Sequence, residues 1–221
     1  MSTVSAGPAV PRLAEFDGPD RIVDAVAALV GHPDLDLVVV RGLLRPRAIR
    51  RLHPGDPGRR EVLWAAVPRL REVTGLLAAW WSENGYRDYR FVPPGFAPGN
   101  HRRGGLVAHL DPGEEDSYLY GPVTMSLVSS REGGTYLAER TSAVLCDDDR
   151  TFDAAAFEEL ERAASSPSVT ARRLRTEVEQ RRGDAVLIMN HPTPTLHAVE
   201  AEDGREAHIF ECLVEPLGVE V

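Results

Sequence analysis

From Tyr86 onwards, Gly and Pro cut the chain into short runs rich in β-branched and aromatic residues. The runs are Tyr89–Val92, Leu106–Leu110, Val123–Val128, Thr135–Ala138, Ala185–Met189, Leu196–Val199 and Ala207–Val214. Such runs are too short for stable helices, and as strands they bury a face only by pairing with one another. Their number and spacing predict a sandwich or a closed barrel. The stretch from Asp153 to Arg182 interrupts them with an Arg/Glu-rich helical pattern. That stretch is expected to be a helical insertion over one mouth of the barrel.

The first third of the chain reads differently. Residues 1–17 are expected to form a loose leader. Asp20 precedes Ile22, Val23, Val26, Ala27, Leu29 and Val30, a helical spacing closed by Gly31 and Pro33. Leu35–Val40 is β-branched and reads as a strand. After the turn at Pro54–Gly58, Leu63, Val67, Leu70, Val73, Leu77, Trp80 and Trp81 predict one long helix over about 60–84, with Gly85 as its stop. At 221 residues the chain is long enough for one well-buried domain. The expected architecture is mainly β within an α+β class. Residues 18–85 form a helical support, and 86–221 form an eight-stranded jelly-roll core carrying the insertion at 153–182.

Charge limits the partners. A net charge of −9 leaves no positive excess to displace counterions from phosphates, so a nucleic-acid partner is not expected. All 25 basic residues are Arg, which fits a GC-rich genome. Two cysteines, Cys146 and Cys212, cannot build a disulfide framework and read as free thiols. No apolar run approaches membrane-spanning length and no signal core precedes the domain, so a cytoplasmic protein without a membrane partner is expected.

The chemistry concentrates at His109-Leu110-Asp111. Residues i and i+2 of a strand project to one face, so this imidazole and carboxylate can reach one metal. His197, in a later strand, is the candidate third ligand. Two imidazoles and a carboxylate leave adjacent coordination positions open, which suits non-haem iron(II). Around the distal histidine stand Gly183-Asp184 before an apolar strand, His197-Ala198-Val199, an acidic turn, and Arg205 eight residues beyond His197.

Taken in order, His109-Leu110-Asp111, Val123–Val128, Gly133-Gly134, Gly183-Asp184, His197-Ala198-Val199 and Arg205 resemble the iron(II)/2-oxoglutarate-dependent oxygenases, in particular their prolyl-hydroxylase-like branch. The resemblance runs from about Tyr89 to Val214. It implies a double-stranded β-helix, with iron on His109, Asp111 and His197. It further implies 2-oxoglutarate chelating the iron, its distal carboxylate on Arg205, and dioxygen as co-substrate. Relatives in that branch often carry a Tyr on the strand after the first motif. Thr124–Ser129 has none, so Thr124 or Ser126 is expected to supply the hydroxyl. With Asp111 present, hydroxylation is expected over halogenation, since related halogenases replace this carboxylate with a small residue.

The remaining polar candidates concern substrate. Glu211 shares a strand face with Arg205 and would suit a substrate ammonium. Arg102 and Arg103 are placed at the barrel mouth, and His101 and His191 lie in segments flanking the metal motifs. His208 is expected to point to the opposite face as a packing residue. Small size favours a small-molecule substrate such as an amino acid or biosynthetic intermediate. The alternatives are a peptide or protein hydroxylase of prolyl type, and a non-catalytic metal-binding jelly-roll protein.

Overall fold

The structure, a computed structural model, describes residues 12–53, 56–111, 114–115, 118–164 and 174–217. The chain opens with β1 (Leu13–Asp17), α1 (Ile22–Gly31), β2 (Leu37–Arg41), α2 (Pro46–Ile49), α3 (Arg59–Ala66) and α4 (Leu70–Asn84). Then follow β3 (Tyr89–Arg103), β4 (Leu106–His109), β5 (Glu114–Glu115), β6 (Tyr118–Val128) and β7 (Gly134–Arg140). After α5 (Ala154–Ala164) come β8 (Thr176–Gln180), β9 (Ala185–Met189), β10 (Thr195–Glu200) and β11 (Glu206–Pro216). One sheet runs β1-β2-β9-β6-β11-β3, with β5 on the side of β6, and the other runs β4-β10-β7-β8. Eight strands, β3, β4 and β6–β11, thus divide four and four between two sheets, with antiparallel pairing inside each. This is the jelly roll that the strand spacing predicts. β1 and β2 widen the larger sheet.

The central strands of the larger sheet, β2, β9, β6 and β11, are buried on both faces, and period-two alternation sorts their residues. Val38, Val40, Val123, Met125, Leu127, Leu187, Met189, Phe210 and Cys212 pack against α1, α3 and α4. Leu37, Val39, Val186 and Ile188 face the barrel interior with Tyr136, Ala138, Val178 and Val199. A strand buried on both sides carries a continuous apolar run, which is why Ala185–Met189 shows no polar alternation. On β6 the inward positions are instead polar: Thr124 and Ser126 are buried between the apolar residues that face the helices. Apolar core thus holds the outer face of β6 while its inner face is free for chemistry.

Four expectations are corrected. Leu13–Asp17, assigned to the leader, is a strand parallel to β2, whereas residues 1–11 lie outside the described residues. The long helix is two, because Pro68 removes an amide and excludes helical geometry at Val67, whose φ and ψ are −130° and 75°. The strand beginning at Tyr89 extends to Arg103 through three prolines. It lies at the sheet edge, where missing donors are tolerated, and its pairing with β11 shifts register where Pro93 to Phe96 intervene. Within the insertion, α5 is helical, but Thr176–Gln180 is a strand with Thr176, Val178 and Gln180 inward and Glu177 and Glu179 outward. Pairing with β7 overrides the helical preference of Glu and Arg there. The insertion's residues 165–173 lie outside the described ones.

Candidate metal centre

His109 ends β4 and His197 sits mid-way along β10, and the two are directly paired across the strands. Their rings lie 4.1 Å apart between centroids. Asp111, two residues beyond His109, places Oδ1 3.3 Å from His109 Nε2 and 3.5 Å from His197 Nε2. Donors bound at right angles to one first-row ion, each at about 2.1 Å, would stand about 3 Å apart, so the spacing suits a shared metal. The three are the group able to hold a metal among the described residues.

The imidazoles are already oriented for ligation. His109 Nδ1 donates to the Val107 carbonyl at 2.9 Å and His197 Nδ1 donates to the Thr195 carbonyl at 3.2 Å. A carbonyl only accepts, so the proton is on Nδ1 and the Nε2 lone pair faces the site. Burial pushes the His197 imidazole down to about 4 against the opposing pull of Asp111, keeping it in the neutral, ligating form. Burial acts to raise the Asp111 carboxyl, but His197, His109 and a hydrogen bond from Thr124 outweigh it and hold it below the usual range. Thr124 Oγ1 in turn accepts from Asn190 Nδ2 at 2.9 Å, and Asn190 also donates to the Gly121 carbonyl at 3.1 Å. The chain Asn190–Thr124–Asp111 fixes the carboxylate.

A cavity of ≈ 180 Å³ opens on this triad. Arg205 lines it and is 2% exposed. One terminal nitrogen of its guanidinium donates to Gln180 Oε1 at 2.8 Å, and Gln180 Nε2 donates to the Ser126 carbonyl at 3.2 Å. Arg205 Nε is buried without a hydrogen-bond partner, and no carboxylate among the described residues pairs with the guanidinium. Burial therefore lowers its pKa, with Tyr136 opposing. The Gly133-Gly134 turn makes this arrangement possible. A Cβ on Gly134 would stand 3.0 Å from Arg205 Cδ, and one on Gly133 would stand 1.9 Å from the Gln180 carbonyl oxygen.

Tyr136 lines the same cavity as the cation and the triad. Its ring stacks on His197, 5.5 Å between centroids and 4° from parallel. Burial, followed by Asp111, raises its phenol well above the ordinary value, while Arg205 opposes. The phenol stays protonated and can donate.

The cavity gathers most of the residues expected at the site. Ser126, Arg102 and Glu211 line it with the triad, Thr124 and Arg205. Thr124 is corrected in role: its hydroxyl serves Asp111, so it is not a spare donor for a co-substrate. Three substrate candidates fall elsewhere. His101 points to the other face of β3 and packs against His208, with ring centroids 4.9 Å apart. Arg103 pairs with Glu206 at 3.2 Å on the surface. His191 is buried among Trp81, Tyr86 and Phe152, its Nδ1 2.6 Å from the Tyr86 hydroxyl. His208 is the packing residue expected, with Arg59 3.5 Å from its Nδ1.

Tyr136, Gln180, Asn100, Tyr120 and Glu161 also belong to the surroundings of the site, and the sequence reading missed them. A signal existed for two. Gln180 is the single Gln of the chain and continues the inward phase of Thr176 and Val178. Tyr136 follows the glycine turn in phase with Ala138, which pairs with His197. Glu161 comes from α5, which packs against β4 and brings this side chain to the cavity lining.

No protein-family model matches the chain, and no curated protein sequence does. Among solved structures it is similar to a prolyl-4-hydroxylase from Pseudomonas putida, at 16% identity over 90% of this chain and 93% of that one, with a TM-score of 0.43. It is also similar to apo HygX from Streptomyces hygroscopicus, at 18% identity over 90% and 87%, with a TM-score of 0.38. A third is an N-substituted L-amino acid dioxygenase from Burkholderia ambifaria, at 12% identity over 86% of each chain, with a TM-score of 0.42. At such identities one fold hosts many chemistries, and no activity is carried over from them.

Proposed function

We propose that the protein is an iron(II)- and 2-oxoglutarate-dependent oxygenase that hydroxylates a C–H bond of a small molecule. The observation that carries this reading is a buried guanidinium, Arg205, facing the same small cavity as a two-histidine, one-carboxylate triad. A buried cation with a neutral amide as its hydrogen-bond partner is costly and calls for an anion from outside. A dicarboxylate that chelates the metal at one end answers it at the other.

Iron(II), bound with 2-oxoglutarate and dioxygen, would supply the oxidation, with 2-oxoglutarate leaving as succinate and carbon dioxide. The chain's own residues have narrower tasks. His109, Asp111 and His197 would hold the metal, and Thr124 with Asn190 keeps the carboxylate aimed at it. Arg205 would grip the distal carboxylate through its planar fork, with Tyr136 and Ser126 as further donors. Gln180 holds the guanidinium in place. Leu106, Leu110, Val199 and Ile209 supply the apolar part of the wall. Asp111 would hold the metal where a halide would otherwise bind, which favours hydroxylation.

The test is succinate formation from 2-oxoglutarate with iron(II) and oxygen, which should proceed slowly even without substrate. Arg205→Ala should weaken 2-oxoglutarate binding by on the order of 2–5 kcal/mol, the cost of leaving a buried carboxylate without its partner. Iron binding should be unchanged. A parent protein that forms no succinate, or an Arg205→Ala variant that binds 2-oxoglutarate normally, would refute the reading.

A further inference from the structure

A second cavity, of ≈ 620 Å³, adjoins the strands that carry the metal triad. Leu196 precedes His197 on β10, so alternation turns it away from the metal, and it lines this second cavity. Leu110, between His109 and Asp111, lines this cavity and the metal cavity both. α5 contributes Leu160, Ala163 and Ala164, the i, i+3, i+4 spacing of one helix face. The volume lies within the roughly 300–1,000 Å³ of small-molecule sites.

Three guanidiniums line the cavity, and the protein itself answers two of them. Arg175 pairs with Glu139 at 3.0 Å, and Arg12 pairs with the buried Asp36 at 3.2 Å. Arg140 makes no ion pair among the described residues, and its side-chain bonds go to neutral groups. Nε donates to Thr193 Oγ1 at 3.0 Å, and Nη1 donates to the carbonyls of His32 at 3.3 Å and Leu29 at 3.5 Å. Those carbonyls belong to the end of α1, so Nη1 caps that helix. Nη2 is left without a hydrogen-bond partner among the described residues. Burial lowers the pKa of this guanidinium, with Asp36 and Asp34 opposing. Asp36 is engaged by Arg12 and by the Arg140 backbone N–H at 2.8 Å. Asp34 is exposed and forms no ion pair among the described residues. Against three guanidiniums the lining sets two carboxylates, Asp34 and Glu139, and one positive charge is left over.

We propose that this second cavity binds an organic monoanion, whose acidic head, a carboxylate or sulfonate, meets Arg140 and whose apolar body lies along Leu110, Leu196 and the Leu160–Ala163 face of α5. The unused edge of a guanidinium gives such a head a charge-assisted donor. A dianion exceeds the single surplus charge, and an uncharged molecule leaves Arg140 with neutral partners alone. Arg205 lines the other cavity, so this site is separate from the one assigned to 2-oxoglutarate and does not depend on the oxygenase reading.

The test is calorimetric titration of hexane-1-sulfonate and 1-hexanol, alike in alkyl chain but differing in charge, into zinc-loaded protein with and without 2-oxoglutarate. A sulfonate is a weak ligand for zinc, so the probe is not drawn to the metal. The parent should bind the sulfonate at least about tenfold more tightly than the alcohol, as expected for a charge-assisted hydrogen bond, and equally in both arms. Arg140→Gln should abolish the preference with metal stoichiometry unchanged. Ala163→Glu keeps Arg140 and adds a like charge at an exposed position of the cavity wall. It should weaken sulfonate binding by roughly threefold or more and leave hexanol unaffected, which decides the matter if Arg140→Gln does not fold. Equal response of the parent to both probes, including no binding of either, overturns the proposal. So does a preference undiminished in either variant. Loss of sulfonate binding on adding 2-oxoglutarate would place the anion at Arg205 and overturn it too. If 2-oxoglutarate itself does not bind, the oxygenase reading fails while the two variants still report on Arg140.

Discussion

Replacing Gln180 by Glu changes one neutral atom pair beside Arg205 into a carboxylate while keeping the shape of the side chain. Gln180 Oε1 already accepts from Arg205 at 2.8 Å, so the new charge would sit in contact with the guanidinium. A co-substrate carboxylate on the other edge of the guanidinium would stand about 6 Å from it. At an effective dielectric of about 20, two like charges at that distance repel by roughly 3 kcal/mol, about a hundredfold in affinity. Folding should change little, because two effects oppose. The buried cation gains a partner, while the Ser126 carbonyl loses the Gln180 donor now 3.2 Å away, a cost of about 1–3 kcal/mol. The assay is calorimetric titration of 2-oxoglutarate into zinc-loaded parent and Gln180→Glu, with melting temperatures measured alongside. An approximately hundredfold weaker affinity at near-parental melting temperature and metal content is expected. Binding within about threefold of the parent would show that no anionic end of the co-substrate meets Arg205.

His109→Ala and His197→Ala should each sharply weaken binding of one iron(II) per chain, measured by metal analysis after dialysis; unchanged content in both would exclude the triad. Asp111→Gly should lose most succinate formation through weaker metal binding, and any chlorinated product in chloride buffer should be scarce, since nothing around residue 111 is built to hold a halide. Product mass spectra read both outcomes, and full hydroxylation by the variant would show that Asp111 is not a ligand. Burial, with His101, Arg59 and His53 nearby, pushes His208 down to about 4. An unfolded histidine titrates near 6.5, so the unfolded chain binds the extra proton first and stability should fall as pH drops from about 6.5 towards 4. In metal-loaded protein, His208→Gln should flatten that part of the melting-temperature profile; an unaltered slope would place the acid sensitivity elsewhere.

Period-two spacing was enough to place His109 and Asp111 on one face, and short β-branched runs were enough for a jelly roll, because both depend on local geometry. His197 and Arg205 were legible through their order along the chain within a resemblance to a known family. The sequence also identified Glu211 as in phase with Arg205, and both line one cavity. Facing and pairing were another matter. His101 and Arg103 alternate with Asn100 and Arg102, and nothing local says which of the two sets looks inward; pairing with β11, with its register shifts, decides it. Thr176–Gln180 reads as helix from its Glu and Arg content and becomes a strand only because β7 offers an edge. Tyr136 stood in a strand read from the sequence, but that it lines one cavity with Arg205 depends on how the two sheets face each other. Local periodicity settles which side chains share a face, because the backbone repeats every two residues. Which face turns inward, and what meets it across the barrel, is settled by burial and hydrogen bonding between strands far apart in the chain.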